Sequence, residues 1–203
     1  MSYTIARFIL FLLFKIFFRL KVFGRENFPK KGAVIVAPNH VSFLDPIIVG
    51  IGAPRKLIFL ARETLFRSRI FGFILNRLNT FPLKRERGDL AAFRLAIDKL
   101  SKGHAVLIFP EGTRSKDGNF QEAKLGISFL EKITGAGILP CYVKGSRNAL
   151  PRESLFPKFR TVSVYFGKPL SFNRNSPGPK KEKYIDVANK VMEAISELKR
   201  NAG

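Results

Sequence analysis

Ala33-Val34-Ile35-Val36-Ala37-Pro38-Asn39-His40-Val41-Ser42-Phe43-Leu44-Asp45-Pro46 is the stretch around which this chain is organised. The apolar run Ala33–Ala37 reads as a buried strand, and Pro38 ends it. Asp45-Pro46 reads as an N-cap followed by proline at the first helical position. His40 therefore falls in a short loop after a strand, and Asp45 at the mouth of the next helix. On one straight helix, residues five apart would project about 140° from each other. The two side chains meet only if the loop folds Asp45 back. A carboxylate on one imidazole nitrogen would then hold the tautomer, make the ring more basic and leave the other nitrogen free to accept a proton. The same spacing also suits a plainer arrangement, in which Asp45 caps a helix and His40 ties down a loop.

A second irregular turn lies further along. The strand Ala105-Val106-Leu107-Ile108-Phe109 runs into Pro110-Glu111-Gly112-Thr113-Arg114-Ser115. Pro110 and Gly112 force a turn at a strand end, where open α/β sheets bind ligands. Arg114 offers a planar fork suited to phosphate, and Thr113, Ser115 and the amides around Gly112 add hydrogen-bonding groups. The plainer alternative is a loop with a Glu–Arg surface pair. No Gly-Lys-Ser/Thr follows, so this is not a phosphate loop of the nucleotide-hydrolase kind.

Composition narrows the partners. The chain has 203 residues, enough for one domain with a sizeable core. Lys and Arg total 36 against 15 Asp and Glu, a net charge of +21. Such a charge predicts a polyanionic partner: nucleic acid, an anionic membrane surface or a phosphorylated substrate. The single cysteine, Cys141, excludes an internal disulfide and reads as a core thiol. His40 and His104, far apart in sequence, leave little material for a metal cluster.

The first 23 residues read as an amphipathic helix at a membrane interface. Lys15 interrupts the apolar run Phe8–Phe14, which is too short to span a bilayer's roughly 20 residues. On a helical wheel Arg7, Lys15, Arg19 and Lys21 fall within an arc of about 160°, opposite a face of Ile, Leu and Phe. Arg7, Lys15 and Arg19 would meet lipid phosphates, and Phe11 and Phe18 would enter the apolar layer. An amphipathic helix of the core is the alternative. Further along, Pro46–Ile51 reads as a short buried helix, Lys56–Ala61 as a strand, and Asp89–Gly103 as a helix with Leu90, Phe93, Ile97 and Leu100 inward. Glu122–Ile133 reads as a helix with Leu125, Phe129, Leu130 and Ile133 inward. Gly137–Val143 and Thr161–Gly167 read as strands, and a closing helix carries Tyr184, Val187, Val191, Ile195 and Leu198 on one stripe. Alternating strands and helices give an α/β class with a mixed, mostly parallel sheet flanked by helices.

Asn39–Asp45 resembles the His-x-x-x-x-Asp signature of the glycerolipid acyltransferases, and Phe109–Ser115 resembles that family's second signature. The pair stands in the family's order, about seventy residues apart. The resemblance covers roughly Gly24 to Leu170, with the 1-acylglycerol-3-phosphate acyltransferase branch the nearest. It implies an acyltransferase domain over 24–203 behind the helix of 1–23, with His40 as base and Asp45 as its orienter. It implies that Glu111, Gly112, Thr113 and Arg114 hold the substrate's phosphate and glycerol, with Glu111 accepting from a glycerol hydroxyl or holding Arg114. Arg62 stands where the family often carries a phosphate-binding lysine, and Lys84 and Arg85 match a looser block; each is equally at home as a solvated basic residue. The implied reaction moves a fatty acyl group from an acyl-carrier-protein or coenzyme A thioester to the 2-hydroxyl of lysophosphatidic acid, giving phosphatidic acid. No metal, cofactor or acyl-enzyme is needed. The implied setting is the cytoplasmic face of the inner (plasma) membrane. Glycerol 3-phosphate or another lysolipid is an alternative acceptor. A basic nucleic-acid-binding protein is the reading from a different class, against which stands the lack of any helix-turn-helix, zinc or RNA-binding motif.

Overall fold

The apolar runs of the sequence come together as a seven-stranded sheet in the computed structural model, which describes residues 3–67, 72–73, 75, 79–83, 88–151, 154, 156–173 and 180–203. The strands are β1 Lys21–Phe23, β2 Val34–Pro38, β3 Leu57–Arg62, β4 Thr80–Leu83, β5 Ala105–Leu107, β6 Gly137–Lys144 and β7 Ser163–Phe166. Their spatial order is β1-β7-β6-β2-β5-β3-β4. Every pairing is parallel except β6 with β7. The fold is thus the α/β arrangement expected, with a mixed, mostly parallel sheet.

β2 lies at the centre and is buried along its whole length. Its side chains alternate between two cores, as the period of a strand requires. Val34 and Val36 join one cluster, and Ile35 and Ala37 the other. The first cluster is covered by α1 (Tyr3–Phe17) and α2 (Asp45–Gly52). The second is covered by α3 (Gly88–Ser101), α4 (Gly126–Thr134) and the closing α6 (Lys180–Asn201), through residues such as Ala96, Leu130 and Val191. A short helix, α5 (Ser146–Ala149), follows β6. The closing helix packs as its stripe predicts, burying Val187, Val191 and Ile195.

Several expectations need correction. The N-terminal helix stops at Phe17, and residues 21–23 are an edge strand rather than helix. Phe18 is buried in the core and Phe11 is partly buried against it, so neither stands on the exposed face of α1. The outward face of α1 is instead Ile5, Phe8, Ile9, Leu12, Leu13, Ile16 and Phe17, an unbroken apolar stripe at helical spacing. Asp45 is the first residue of α2, not its cap; Leu44 takes the cap position and makes no side-chain cap bond. α4 begins at Gly126 rather than Glu122, and Leu125, Phe129 and Ile133 are exposed while Ile127 and Leu130 are buried. Leu90 is also exposed. In α3 the rest of the expected stripe, Phe93, Ile97 and Leu100, does pack on the core.

Candidate active site

β2 and β5 are neighbours in register, with Val36 opposite Leu107. Each strand therefore delivers its irregular turn to the same sheet edge, at the carboxyl ends of the parallel strands, where this class of sheet forms its binding crevice. The loop after β2 is tightly wound. Asp45 Oδ2 accepts from Val41 N–H at 2.7 Å, from Ser42 N–H at 2.7 Å and from His40 Nδ1 at 2.9 Å. The carboxyl is fully buried, and the imidazole retains 16% exposure. One oxygen thus fixes the loop and the ring together. With Nδ1 committed as a donor to the carboxylate, Nε2 is the nitrogen left to accept a proton. The ring of Phe109 stacks on the imidazole with centroids 3.7 Å apart, which sets the ring plane. Sequence reasoning did not single out Phe109, although its place just before Pro110 at a strand end was a usable signal.

Glu111 is turned into the protein. It is 1% exposed. One carboxylate oxygen accepts His40 N–H at 2.8 Å and the other accepts Gln121 N–H at 3.0 Å. It therefore clamps the second turn to the first. Ser115 N–H donates to the His40 carbonyl at 2.8 Å, closing the same junction from the other side. Burial pushes the Glu111 carboxyl up from its ordinary 4.5, partly offset by the two amides that it accepts. Asn39, also missed, extends the sheet with its side chain: Oδ1 accepts Val143 N–H at 2.7 Å and Nδ2 donates to the Val143 carbonyl at 3.2 Å. An amide carries one donor and one acceptor, like a peptide unit, so it bridges β2 to β6 where the backbone departs.

Arg114 lies over the ring of Phe43, 3.5 Å from its centroid, which holds the guanidinium beside the His40 loop. Gly112 has φ +69°, and a Cβ there would meet Lys124 at 3.2 Å. Gly112 and Thr113 are exposed, as is Lys124, whose N–H donates to the Pro110 carbonyl at 2.8 Å. Thr113 and Lys124 line the opening of a cavity of about 500 Å³, whose walls include Leu60, Ala92, Phe93 and Phe109. His40 itself is not in the wall; its stacking partner Phe109 is. Phe93, assigned only to the core from sequence, lines this cavity. Arg62 ends β3 at the same sheet edge, opposite Leu83 of β4. Lys84 and Arg85 lie outside the described residues.

Two nucleophile-bearing side chains lie near this loop, and both are buried. Ser42 Oγ is buried, donates to the Leu150 carbonyl at 3.0 Å and accepts from Leu44 N–H. Cys141 is buried in β6, and desolvation pushes its thiol well up, away from the reactive thiolate. Among the described residues no group of three metal-ligating side chains forms, and no helix is long and apolar enough to cross a membrane.

A family model described as acyltransferase matches residues 19–144. The 1-acyl-sn-glycerol-3-phosphate acyltransferase of Bacillus subtilis is 27% identical over 180 residues, covering 88% of this chain and 87% of that one. The enzyme of the same name from Borreliella burgdorferi is 30% identical over 149 residues, covering 72% of this chain and 60% of its own length. The crystal structure of the 1-acyl-sn-glycerophosphate (LPA) acyltransferase PlsC from Thermotoga maritima superposes with a TM-score of 0.72 at 26% identity, over 98% of this chain and 83% of that one.

Proposed function

The chain belongs to the acyltransferase family, and on that footing we propose that it acylates the 2-hydroxyl of 1-acyl-sn-glycerol 3-phosphate, with a fatty acyl thioester as donor. The observation that carries the reading is the single Asp45 oxygen that binds the His40 ring and two amides of the same loop. His40 Nε2 removes the proton from the acceptor hydroxyl as that oxygen attacks the thioester carbonyl. The tetrahedral intermediate collapses with cleavage of the C–S bond, and the imidazolium returns its proton to the leaving thiolate. The products are phosphatidic acid and the free thiol of acyl carrier protein or coenzyme A. Buried Asp45 stabilises the imidazolium formed on the way. No acyl-enzyme intervenes, in keeping with the engagement of Ser42 and the burial of Cys141.

Arg114 binds the acceptor phosphate, aided by Lys124 and the amides that follow Gly112, and Arg62, Lys84 and Arg85 are further candidate cations. The apolar cavity beyond Phe109 takes a fatty acyl chain. The apolar face of α1, flanked by Lys15 and Arg19, rests on an anionic membrane and keeps the site where its lipid substrates reside. The implied setting is the cytoplasmic face of the plasma membrane.

The test is acyl transfer in mixed micelles. Lysophosphatidic acid is offered with acyl-carrier-protein and coenzyme A thioesters, and glycerol 3-phosphate replaces it in parallel. Phosphatidic acid from the wild type and none from His40→Ala is the expected result. Equal turnover by both proteins would remove His40 as the base. Turnover only with glycerol 3-phosphate would move the acceptor.

A further inference from the structure

The antiparallel pairing of β6 with β7 brings a second segment to the catalytic edge. β7 begins at Ser163, which lies opposite Lys144 at the carboxyl end of β6 and opposite Lys21 at the start of β1. The segment 156–162 therefore arrives at the same edge as the C-terminal end of α1 and the His40 loop. It is pinned there by backbone bonds: Val162 N–H to the Phe18 carbonyl at 3.0 Å, Lys21 N–H to the Val162 carbonyl at 3.1 Å, and Lys158 N–H to the Ala149 carbonyl at 2.6 Å. Its sequence, Phe156-Pro157-Lys158-Phe159-Arg160, alternates aromatic and basic residues and holds no carboxylate.

Its aromatic rings are turned outward. Phe156 is 80% exposed and Phe159 69%. Phe159 stacks on Phe17 with centroids 5.2 Å apart and meets Phe18 edge-on. Phe17 closes the outward apolar stripe of α1, so the segment prolongs that stripe. Lys158 and Arg160, with Asn148 and Thr161, line a shallow recess of about 500 Å³ beside the rings. Exposed phenylalanines of this kind mark an interaction surface, and the basic residues between them select an anionic one.

We propose that segment 156–161 is a second membrane-inserting element, in which Phe156 and Phe159 enter an anionic bilayer beside the C-terminal end of α1 and Lys158 and Arg160 meet lipid phosphates. This deepens the membrane reading of α1 given above and rests on it. The segment extends the lipid-facing surface of α1 to the carboxyl ends of the strands. A lysolipid then reaches His40 by sliding along the interface.

The chain contains no tryptophan, so a single introduced indole reports one position. Full-length Phe156→Trp and Phe8→Trp are mixed with phosphatidylcholine vesicles, with and without phosphatidylglycerol, carrying brominated acyl chains. With the anionic vesicles both indoles shift to the blue and both are quenched. Each basic side chain near such a surface contributes roughly fivefold in partition. Lys158→Gln with Arg160→Gln therefore weakens binding about 25-fold in the anionic vesicles and leaves binding to the neutral ones unchanged. Quenching at Phe8→Trp with none at Phe156→Trp would overturn the segment's role and leave the α1 reading intact. Quenching at neither position would overturn both. A blue shift without vesicles that grows with protein concentration would assign the patch to a second copy of the chain and overturn the lipid.

Discussion

Glu111→Gln separates a positioning role from substrate binding. In the wild type one carboxylate oxygen accepts His40 N–H at 2.8 Å and the other Gln121 N–H at 3.0 Å, inside a residue that is 1% exposed. Glutamine has one acceptor and one donor where glutamate has two acceptors. Its oxygen can keep the His40 amide, and its NH₂ then faces the Gln121 N–H. An unsatisfied buried donor costs about 1–3 kcal/mol, which lowers Tm by about 2–12 °C in a chain of this size. Glu111 acts through the His40 backbone and not on the substrate, so kcat should fall by about ten- to a hundredfold while KM for the acceptor stays within twofold. The pH dependence has a definite sign. Burial raises the folded carboxyl above its ordinary 4.5. Between those two values the folded state binds more protons than the unfolded one, so this group's contribution to stability falls as pH rises. Glu111→Gln removes that slope, and the Tm gap between the two proteins should narrow above the folded value. Steady-state kinetics and calorimetry from pH 4 to 8 would read both. A rise in KM with unchanged kcat would refute the clamp and return Glu111 to the substrate.

Asp45→Asn keeps an oxygen for the three donors but places an NH₂ where the second carboxylate oxygen has no partner, and it removes the charge that steadies the imidazolium. We expect kcat to drop about 10²–10⁴-fold with the fold retained, read by turnover alongside circular dichroism. Leu12→Ser with Ile16→Ser, both on the exposed stripe of α1, should weaken vesicle binding at least tenfold and change stability by less than about 0.5 kcal/mol; Phe14→Ser, in the core, should do the reverse. Ala92→Phe narrows the apolar cavity and should shift turnover toward shorter acyl chains in competition assays with mixed thioesters. Gly24→Ala puts a Cβ 2.1 Å from the Phe166 carbonyl oxygen at φ +71°, and denaturant melts should record a loss of about 2–3 kcal/mol.

The centre of the fold and the His40–Asp45 pair were legible because they depend on local pattern. A continuous apolar run closed by proline, then a loop closed by Asp45-Pro46, leaves few ways to arrange the backbone. Features that depend on distant partners were not legible. α1 is apolar nearly all round, so a helical wheel cannot say whether Phe8 or Phe11 faces the sheet. The choice is made by contacts such as Leu57 N–H to Tyr3 Oη at 3.4 Å. β1 is only three residues long, and its strand identity comes wholly from β7. The contacts of Glu111 were not legible for a related reason. A charged residue beside Arg114 invites a surface pair, whereas its real partners are main-chain amides, which carry no signature in sequence.

β1 also ties α1 into the fold. A tether joined by a loose linker is detachable, but here the chain leaves α1 and within four residues becomes the border of the sheet. A truncation that removed residues up to Phe23 in search of a more tractable protein would strip that border and leave β7 with a row of unpaired amides and carbonyls. Such a row invites pairing with other chains. Aggregation of that fragment would therefore report a missing strand rather than a sticky surface, and solubility is better sought by replacing the outward residues of α1 than by deleting it.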